Sequence, residues 1–187
     1  LYLSMVNLTS LGYGDIVPTG GLLRFVGPIE TLIGLGLLTA GISWILLLYR
    51  VLSEARSLSH EISLLLDAVD TTGIGLPGIE PQVAARILAD LTTRAVTMRD
   101  DLVHSPIAYY FHPGDRRHAL PVLLSGLIAV VDACSAPDRA PALRLQAGML
   151  RQAINDLLET IAEDFLSTPA AGAAEALAGY RRDHHWG

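Results

Sequence analysis

One uncharged, apolar run constrains this chain more than any other feature. From 31 to 49 the sequence TLIGLGLLTAGISWILLLY contains no charged side chain. A transmembrane helix needs roughly 20 mainly apolar residues, each adding about 1.5 Å of length. Trp44 and Tyr49 suit the membrane–water interface, and Arg50 just beyond them suits a cytoplasmic flank. The run therefore predicts a membrane-spanning helix, and the alternative is a buried helix of a large soluble core.

The composition agrees with a membrane protein and argues against several functions. Hydrophobic residues make up 51% of the 187 residues and charged residues 17%. With so few charged residues, this hydrophobic share is high for a soluble protein. The net charge of −6 argues against a nucleic-acid partner, because phosphate binding needs a basic surface. The single cysteine, Cys134, is expected to be a buried thiol. Because no nucleophile–base–acid pattern occurs, we predict neither an enzyme nor a cofactor.

A glycine-containing segment, NLTSLGYGDIVP at 7–18, precedes the apolar run. Non-helical backbone at membrane depth persists only where protein buries it or where it lines a water-filled path. Gly12 and Gly14 tolerate positive φ, so the backbone can turn successive carbonyls to one side. A ring of such carbonyls from several chains can replace the water shell of a cation. The segment therefore predicts an ion-coordinating strand whose ligands are main-chain oxygens.

Residues 9–15 read Thr-Ser-Leu-Gly-Tyr-Gly-Asp and resemble the potassium-channel pore signature, Thr-Thr-Val-Gly-Tyr-Gly-Asp. Pro18 follows, and the apolar run comes next, whereas Gly-Tyr-Gly-Asp alone also suits a turn in a soluble protein. The resemblance covers residues 1 to about 52. It implies a membrane pore helix, a selectivity-filter strand and an inner transmembrane helix. With a helical remainder, the predicted fold class is all-α.

The resemblance implies that potassium is the transported ion, held by the backbone carbonyls of Ser10, Leu11, Gly12 and Tyr13. The Ser10 hydroxyl would add oxygens at the innermost site. Tyr13 would point away from the axis and hold the filter's diameter. Ser10 replaces the signature's Thr and Leu11 its Val, and both changes loosen the side chain at χ1. We therefore expect a less rigid filter, with an effect on how strongly sodium is rejected.

The resemblance also implies a set of supporting residues. Thr9 and Gly14 flank the ion sites, and Asp15 would lie at the outer mouth and help to fix the strand. The pore helix ahead of them would direct its C-terminal partial negative charge toward the cation path. Glu30 either reaches lipid headgroups or supports the filter segment from behind, since a carboxylate in hydrocarbon is costly. Gly34 matches the family's hinge glycine by spacing, and Gly36 and Gly41 are nearby alternatives. Small residues at helix contacts also serve plain packing.

One filter segment per chain implies a homotetramer in a lipid bilayer, unless residues upstream of Leu1 hold another pore segment. We expect a multi-pass protein of the plasma membrane, with a first membrane helix upstream of Leu1 and a C-terminal domain in the cytoplasm. The predicted pore domain is 1–52 and the predicted cytoplasmic domain is 53–187.

The cytoplasmic domain is predicted to be a bundle of four or five helices. Helices are expected from 81 to about 103 and at 119–131, 138–167 and 170–181, with a frayed tail after them. A heptad-spaced apolar stripe either extends the inner helix into a bundle about the channel axis or packs on its own domain. Its members are Trp44, Leu48, Val51, Ala55, Leu58, Ile62, Leu65 and Val69.

Two short motifs in this domain have weak functional interpretations. GIGLPG at 73–78 fits the dinucleotide pattern G-x-G-x-x-G, but no strand precedes it directly and no second strand ending in an acid follows. A linker is the better interpretation. Asp183, His184 and His185 in the tail are metal-ligand types, but adjacent residues rarely converge on one ion.

A loop between two predicted helices is the best candidate for a regulatory contact. It contains aromatic and basic side chains at Tyr109, Tyr110, His112, Arg116 and Arg117. The arginines either bind an acidic ligand or pair with acids of the same domain, such as Asp100 and Asp101. The alternative is a loop that its aromatics anchor in the core.

Taken together, the sequence predicts a subunit of a potassium-selective channel with a helical cytoplasmic domain for assembly or gating. The alternative is a membrane-tethered helical module that binds a cytoplasmic ligand or partner and carries a non-conducting pore remnant.

Overall fold

The computed structural model describes residues 1–110, 119–166 and 172–184. These residues are helical or irregular, and none of them forms a β-strand, which confirms the predicted all-α class. The six α-helices of the described residues are α1 Tyr2–Leu8, α2 Gly21–Thr72, α3 Pro81–His104, α4 Leu120–Cys134, α5 Pro141–Asp164 and α6 Ala173–Asp183. Short 3-10 helices occur at Leu76–Gly78 and Pro106–Tyr110. The chain divides into two compact units, Leu1–Tyr49 and Arg50–Gly187.

The first unit contains α1, the irregular segment 9–20 and the first part of α2. The apolar window of α2 has a mean hydropathy of 2.1, and none of it is buried within the chain. A core helix of a soluble protein would be mostly buried. The structure therefore disfavours the soluble-core alternative, because this apolar surface has no cover in the described chain.

The second unit packs around α5. This helix presents apolar residues to the core at helical spacing, and six of them are completely buried: Ala147, Leu150, Ile154, Leu157, Leu158 and Ile161. The neighbouring α3 contributes its own buried stripe, which includes Leu88 and Leu91. Amphipathic helices of this kind gain most of their stability from burying one face rather than from helix propensity.

The heptad stripe packs on its own unit after the membrane run. Val51, Leu58 and Ile62 are 4%, 2% and 0% exposed within the single chain, and Leu65 packs against the same core. These residues therefore pack on their own domain and not in a bundle about the channel axis, because their apolar surface is already buried inside the unit.

Prolines set the starts of several helices, as their fixed φ and missing N–H favour. The helix predicted at 138–167 begins later, at Pro141, because residues 136–139 form a turn in which the Arg139 amide donates to the Ala136 carbonyl at 3.1 Å. The helix predicted at 119–131 continues to Cys134, whose buried thiol extends the apolar face. Burial raises the pKa of that thiol.

The segment 73–78 joins two helices. Gly73 has a φ of +68° at the end of α2, and its amide donates to the Val69 carbonyl at 2.9 Å. Leu76 in the following 3-10 helix is 4% exposed. The strand–turn–helix context of a dinucleotide loop is therefore not present here.

The prediction of a frayed tail is wrong for its first residues. α6 continues to Asp183, and His184 is 5% exposed. The Tyr180 ring lies with its centroid 5.6 Å from that of Tyr109 in a stacked arrangement. These aromatic contacts bury the helix end, which the polar tail sequence did not indicate.

Candidate functional site

The segment 9–20, between α1 and α2, has no regular secondary structure. From residue 10 to residue 14 its φ angles are positive at every second position: 56° at Ser10, 53° at Gly12 and 75° at Gly14. Leu11 and Tyr13, which lie between them, do not have positive φ. Alternating backbone hand can turn like groups of the main chain to one side of a segment.

Gly12 and Gly14 are required by backbone conformation and not by space. A Cβ at either position would meet no atom within 4 Å in this chain. Positive φ costs any residue with a Cβ roughly 1–2 kcal/mol, and glycine avoids that cost. The local sequence therefore supplies glycine at two of the three positions that need it.

Ser10 occupies the third position because it caps α1. Its amide donates to the Asn7 carbonyl at 3.0 Å, and the Leu11 amide donates to the Val6 carbonyl at 3.0 Å. This pair of bonds, with a left-handed residue after the helix end, is the Schellman arrangement, in which glycine is usual. The Thr9 hydroxyl donates to the Met5 carbonyl at 2.8 Å. The last carbonyls of α1 are thus engaged by the residues that immediately follow the helix.

Asp15 is bound to the beginning of α1. The Tyr2 hydroxyl donates to Asp15 Oδ2 at 2.8 Å. On the other side of the segment, Arg24 Nε donates to the Pro18 carbonyl at 3.0 Å. These bonds hold the irregular segment to the flanking helices at Asp15 and at Pro18. Tyr13, by contrast, is 68% exposed within the single chain.

Glu30 contacts α1 and not the glycine segment. Its Oε1 accepts from the Ser4 hydroxyl at 2.6 Å, and its Oε2 accepts from Asn7 Nδ2 at 3.3 Å. The sequence pattern singled out Glu30 but missed both donors. No local signal pairs them, since 26 and 23 residues separate them from Glu30.

Gly34 lies against the end of α1. A Cβ at this position would lie 1.8 Å from the Leu8 carbonyl oxygen and 2.7 Å from its carbon. Such an approach is available only to glycine, so packing requires this residue whether or not it is also a hinge. Gly27, two turns earlier on α2, would bring its Cβ within 3.2 Å of Asn7 Nδ2.

The aromatic part of the predicted regulatory loop is a core anchor. Tyr109 is 6% exposed, stacks on Phe165 with ring centroids 4.5 Å apart, and donates its hydroxyl to Asp183 at 3.2 Å. Burial raises the pKa of Tyr109 above its ordinary value, and the nearby Asp183 carboxylate raises it further by a smaller amount. Tyr110 is 67% exposed. His112, Arg116 and Arg117 lie outside the described residues.

The acids proposed as partners for those arginines already have neighbours. Asp101 lies 3.8 Å from Arg50, and Asp100 lies 3.1 Å from Arg99. His185, in the tail, also lies outside the described residues, and among the residues that are described no group of three metal-ligating side chains converges. The regulatory role of the loop and the metal alternative stay predictions.

A cavity of about 110 Å³ lies within the second unit. Its walls are mainly apolar, and polar atoms enter from Arg56, Asp101, Tyr109, Tyr180 and His184. Burial also raises the pKa of Tyr180. Sequence reasoning missed this cavity because its walls come from α2, α3, α4 and α6.

Comparison with known proteins identifies the first unit only. Residues 1–50 match a family described as ion channel. The chain matches no curated protein and no solved structure. The family match and the apolar helix together indicate a membrane protein, and the match covers the residues whose geometry is described above. The first 50 residues thus carry the sequence of an ion-channel family, which confirms the resemblance seen at residues 9–15.

Proposed function

We propose that this chain is a subunit of a potassium-selective channel whose filter is lined by the backbone carbonyls of residues 10–13. One observation carries the proposal. The φ angle alternates in sign from Ser10 to Gly14, in an irregular segment directly ahead of an unburied apolar helix. That segment lies inside the ion-channel match.

The alternation supports a filter because an ion must be dehydrated by closely spaced oxygens. Carbonyl groups that face one side of a strand can replace the water shell of potassium when several strands meet around an axis. Residues 10–13 supply one such strand, so the proposal requires four strands around the axis. The apolar surface of α2, which is unburied in the single chain, would then face lipid and neighbouring subunits.

The second unit is proposed as a cytoplasmic domain that assists assembly or gating. α2 contributes residues to both units, since it extends from Gly21 to Thr72. A change in the packing of residues 50–72 within the second unit would therefore act on a helix that also belongs to the first.

The experiment is ion flux through the protein reconstituted in liposomes, with potassium or sodium as the permeant ion. We expect potassium flux to exceed sodium flux. Gly14→Ala should abolish conduction, because a Cβ opposes the φ of 75° at that position. Gly148→Ala is the control, since a Cβ there also meets nothing within 4 Å and the residue lies within α5. Equal flux of the two ions in the unaltered protein would contradict the selectivity.

A ligand-binding module is the second candidate, and the cavity of the second unit favours it. In that case the pore segment would be a remnant. The two candidates differ in one outcome. A protein that inserts, assembles and unfolds cooperatively, yet passes neither ion in liposomes, would support the module and not the channel.

A further inference from the structure

Glu30 links α2 to α1 through two hydrogen bonds to one face of the shorter helix. Ser4 and Asn7 are three residues apart, so their side chains lie on the same side of α1. An ionised carboxylate only accepts hydrogen bonds, and those it accepts are stronger than neutral ones. Because a carboxylate is costly at membrane depth, these donors are also what makes its position tolerable.

Asn7 takes part in a second bond at the same time. Its side-chain amide donates to Glu30 Oε2 at 3.3 Å, while its backbone carbonyl accepts from the Ser10 amide at 3.0 Å. Two consecutive hydrogen bonds therefore join α2 to the first residue of the proposed ion path. Ser10 needs such support, because its φ of 56° is unfavourable for a residue with a Cβ.

Two glycines on α2 set the distance over which this contact forms. Gly27 lies against the Asn7 side chain, and Gly34 lies against the Leu8 backbone. Glu30 sits between them, three residues after one and four before the other, so all three lie on the face of α2 that meets α1. Small residues allow backbones to approach closely, which brings the Glu30 carboxylate within reach of its donors.

We infer that Glu30 is a positioning residue of the ion path, acting through Asn7 on the backbone of Ser10. The inference rests on the proposed channel function and names a residue outside the filter on which its geometry depends. Without the carboxylate, Asn7 loses its partner on α2. The Ser10 backbone is then held only from its own helix, and the spacing of the innermost carbonyls becomes less uniform.

The test uses three single variants and one double variant in the reconstituted protein. Glu30→Leu should lower the potassium-to-sodium permeability ratio by about tenfold, the factor that corresponds to losing one hydrogen bond to a charged group. Asn7→Ala should lower it by a similar factor. Glu30→Gln keeps the shape and an acceptor oxygen, so it should recover most of the ratio. The double variant Glu30→Leu, Asn7→Ala should fall no further than either single variant, because both break one chain of contacts.

Thr31→Val is the matched control. Thr31 is the next residue on α2, and its hydroxyl donates within the helix, to the Gly27 carbonyl at 3.1 Å. Its substitution removes a polar group from the same turn without breaking a contact to α1. An unchanged ratio in both Glu30→Leu and Asn7→Ala, or an equal fall in Thr31→Val, would overturn the inference while leaving the channel function in place.

Amide hydrogen exchange gives a readout that does not depend on conduction. Glu30→Leu and Asn7→Ala should speed exchange of the Ser10 and Leu11 amides, and Thr31→Val should not. If the unaltered protein shows no preference for potassium, the proposed function fails, and exchange still decides whether Glu30 holds Ser10. Unchanged exchange in both variants overturns the inference. If Glu30→Leu does not assemble, the permeability ratio and amide exchange of Asn7→Ala and Glu30→Gln decide whether the inference holds.

Discussion

Two residues of the first unit are determined by backbone geometry more than by side-chain chemistry. Ser10 has the left-handed conformation that glycine usually supplies at a helix end, and Gly34 touches a main-chain carbonyl. The side chain of Ser10 is retained at a cost of roughly 1–2 kcal/mol relative to glycine. That cost is understandable if its hydroxyl is a ligand, as the resemblance to the pore signature implies, since glycine would supply the same carbonyl.

Gly34→Ala distinguishes packing from a hinge. Because its Cβ would lie 1.8 Å from the Leu8 oxygen, α1 and α2 must separate, and we expect a loss of roughly 1–3 kcal/mol of stability. Thermal unfolding in detergent measures it. Gly36→Ala is the control, since a Cβ there meets nothing within 4 Å. If Gly34→Ala unfolds like the unaltered protein and changes only the open probability, the hinge is the better account.

At the scale of helices, α2 and α5 show two opposite uses of apolar sequence. The membrane window of α2 is apolar on all sides and unburied in the chain, as suits a lipid solvent. α5 is amphipathic and buries its apolar stripe against α3, α4 and α6. α4 is similarly apolar but too short to span a bilayer at 15 residues, and it packs its buried face into the core instead.

Leu158→Ala on α5 should be among the more damaging substitutions in the second unit. Leu158 is completely buried, so its truncation loses apolar burial and leaves a cavity, at a cost of about 2–5 kcal/mol. Leu145→Ala on the same helix is the matched control, because Leu145 is 65% exposed and should change stability little. Chemical denaturation followed by circular dichroism compares the two. Similar midpoints for both variants would contradict the position of α5 in the core.

At the scale of the whole molecule, the chain joins two units stabilised in different ways. The first unit has a single buried apolar residue among its described positions, Val6, at 8% exposed. The second has a continuous core drawn from α2 to α6. Only the second unit has what an independently folding domain needs, which is an apolar core of its own.

Residues 50–187 alone should therefore be soluble, helical and monomeric. The stripe that would have mediated association is used internally, since Val51, Leu58 and Ile62 are buried within the unit. Light scattering at high concentration measures the mass, and circular dichroism measures the helix content. A tetramer would show that the second unit drives assembly itself, and an aggregated or unfolded fragment would show that its core depends on the membrane unit.

Sequence determined the features that rest on local physics. The membrane span follows from about twenty consecutive apolar residues, and glycine at 12 and 14 allows the positive φ angles that the segment adopts there. The helices of the second unit follow from apolar periodicity and from prolines at their starts, as at Pro81 and Pro141. For the same reason the ion-channel family was recognisable from seven consecutive residues.

Only the tertiary structure decided which distant residues meet. The Glu30 contacts to Ser4 and Asn7, the steric need for Gly34, the burial of His184 and the cavity walls all join residues separated along the chain. Periodicity reports which face of a helix is apolar, but it does not report which helix covers that face. The heptad stripe on α2 suited either a shared bundle or its own domain. The packing of α3 to α6 settled that choice, because the same side chain cannot be buried in two cores.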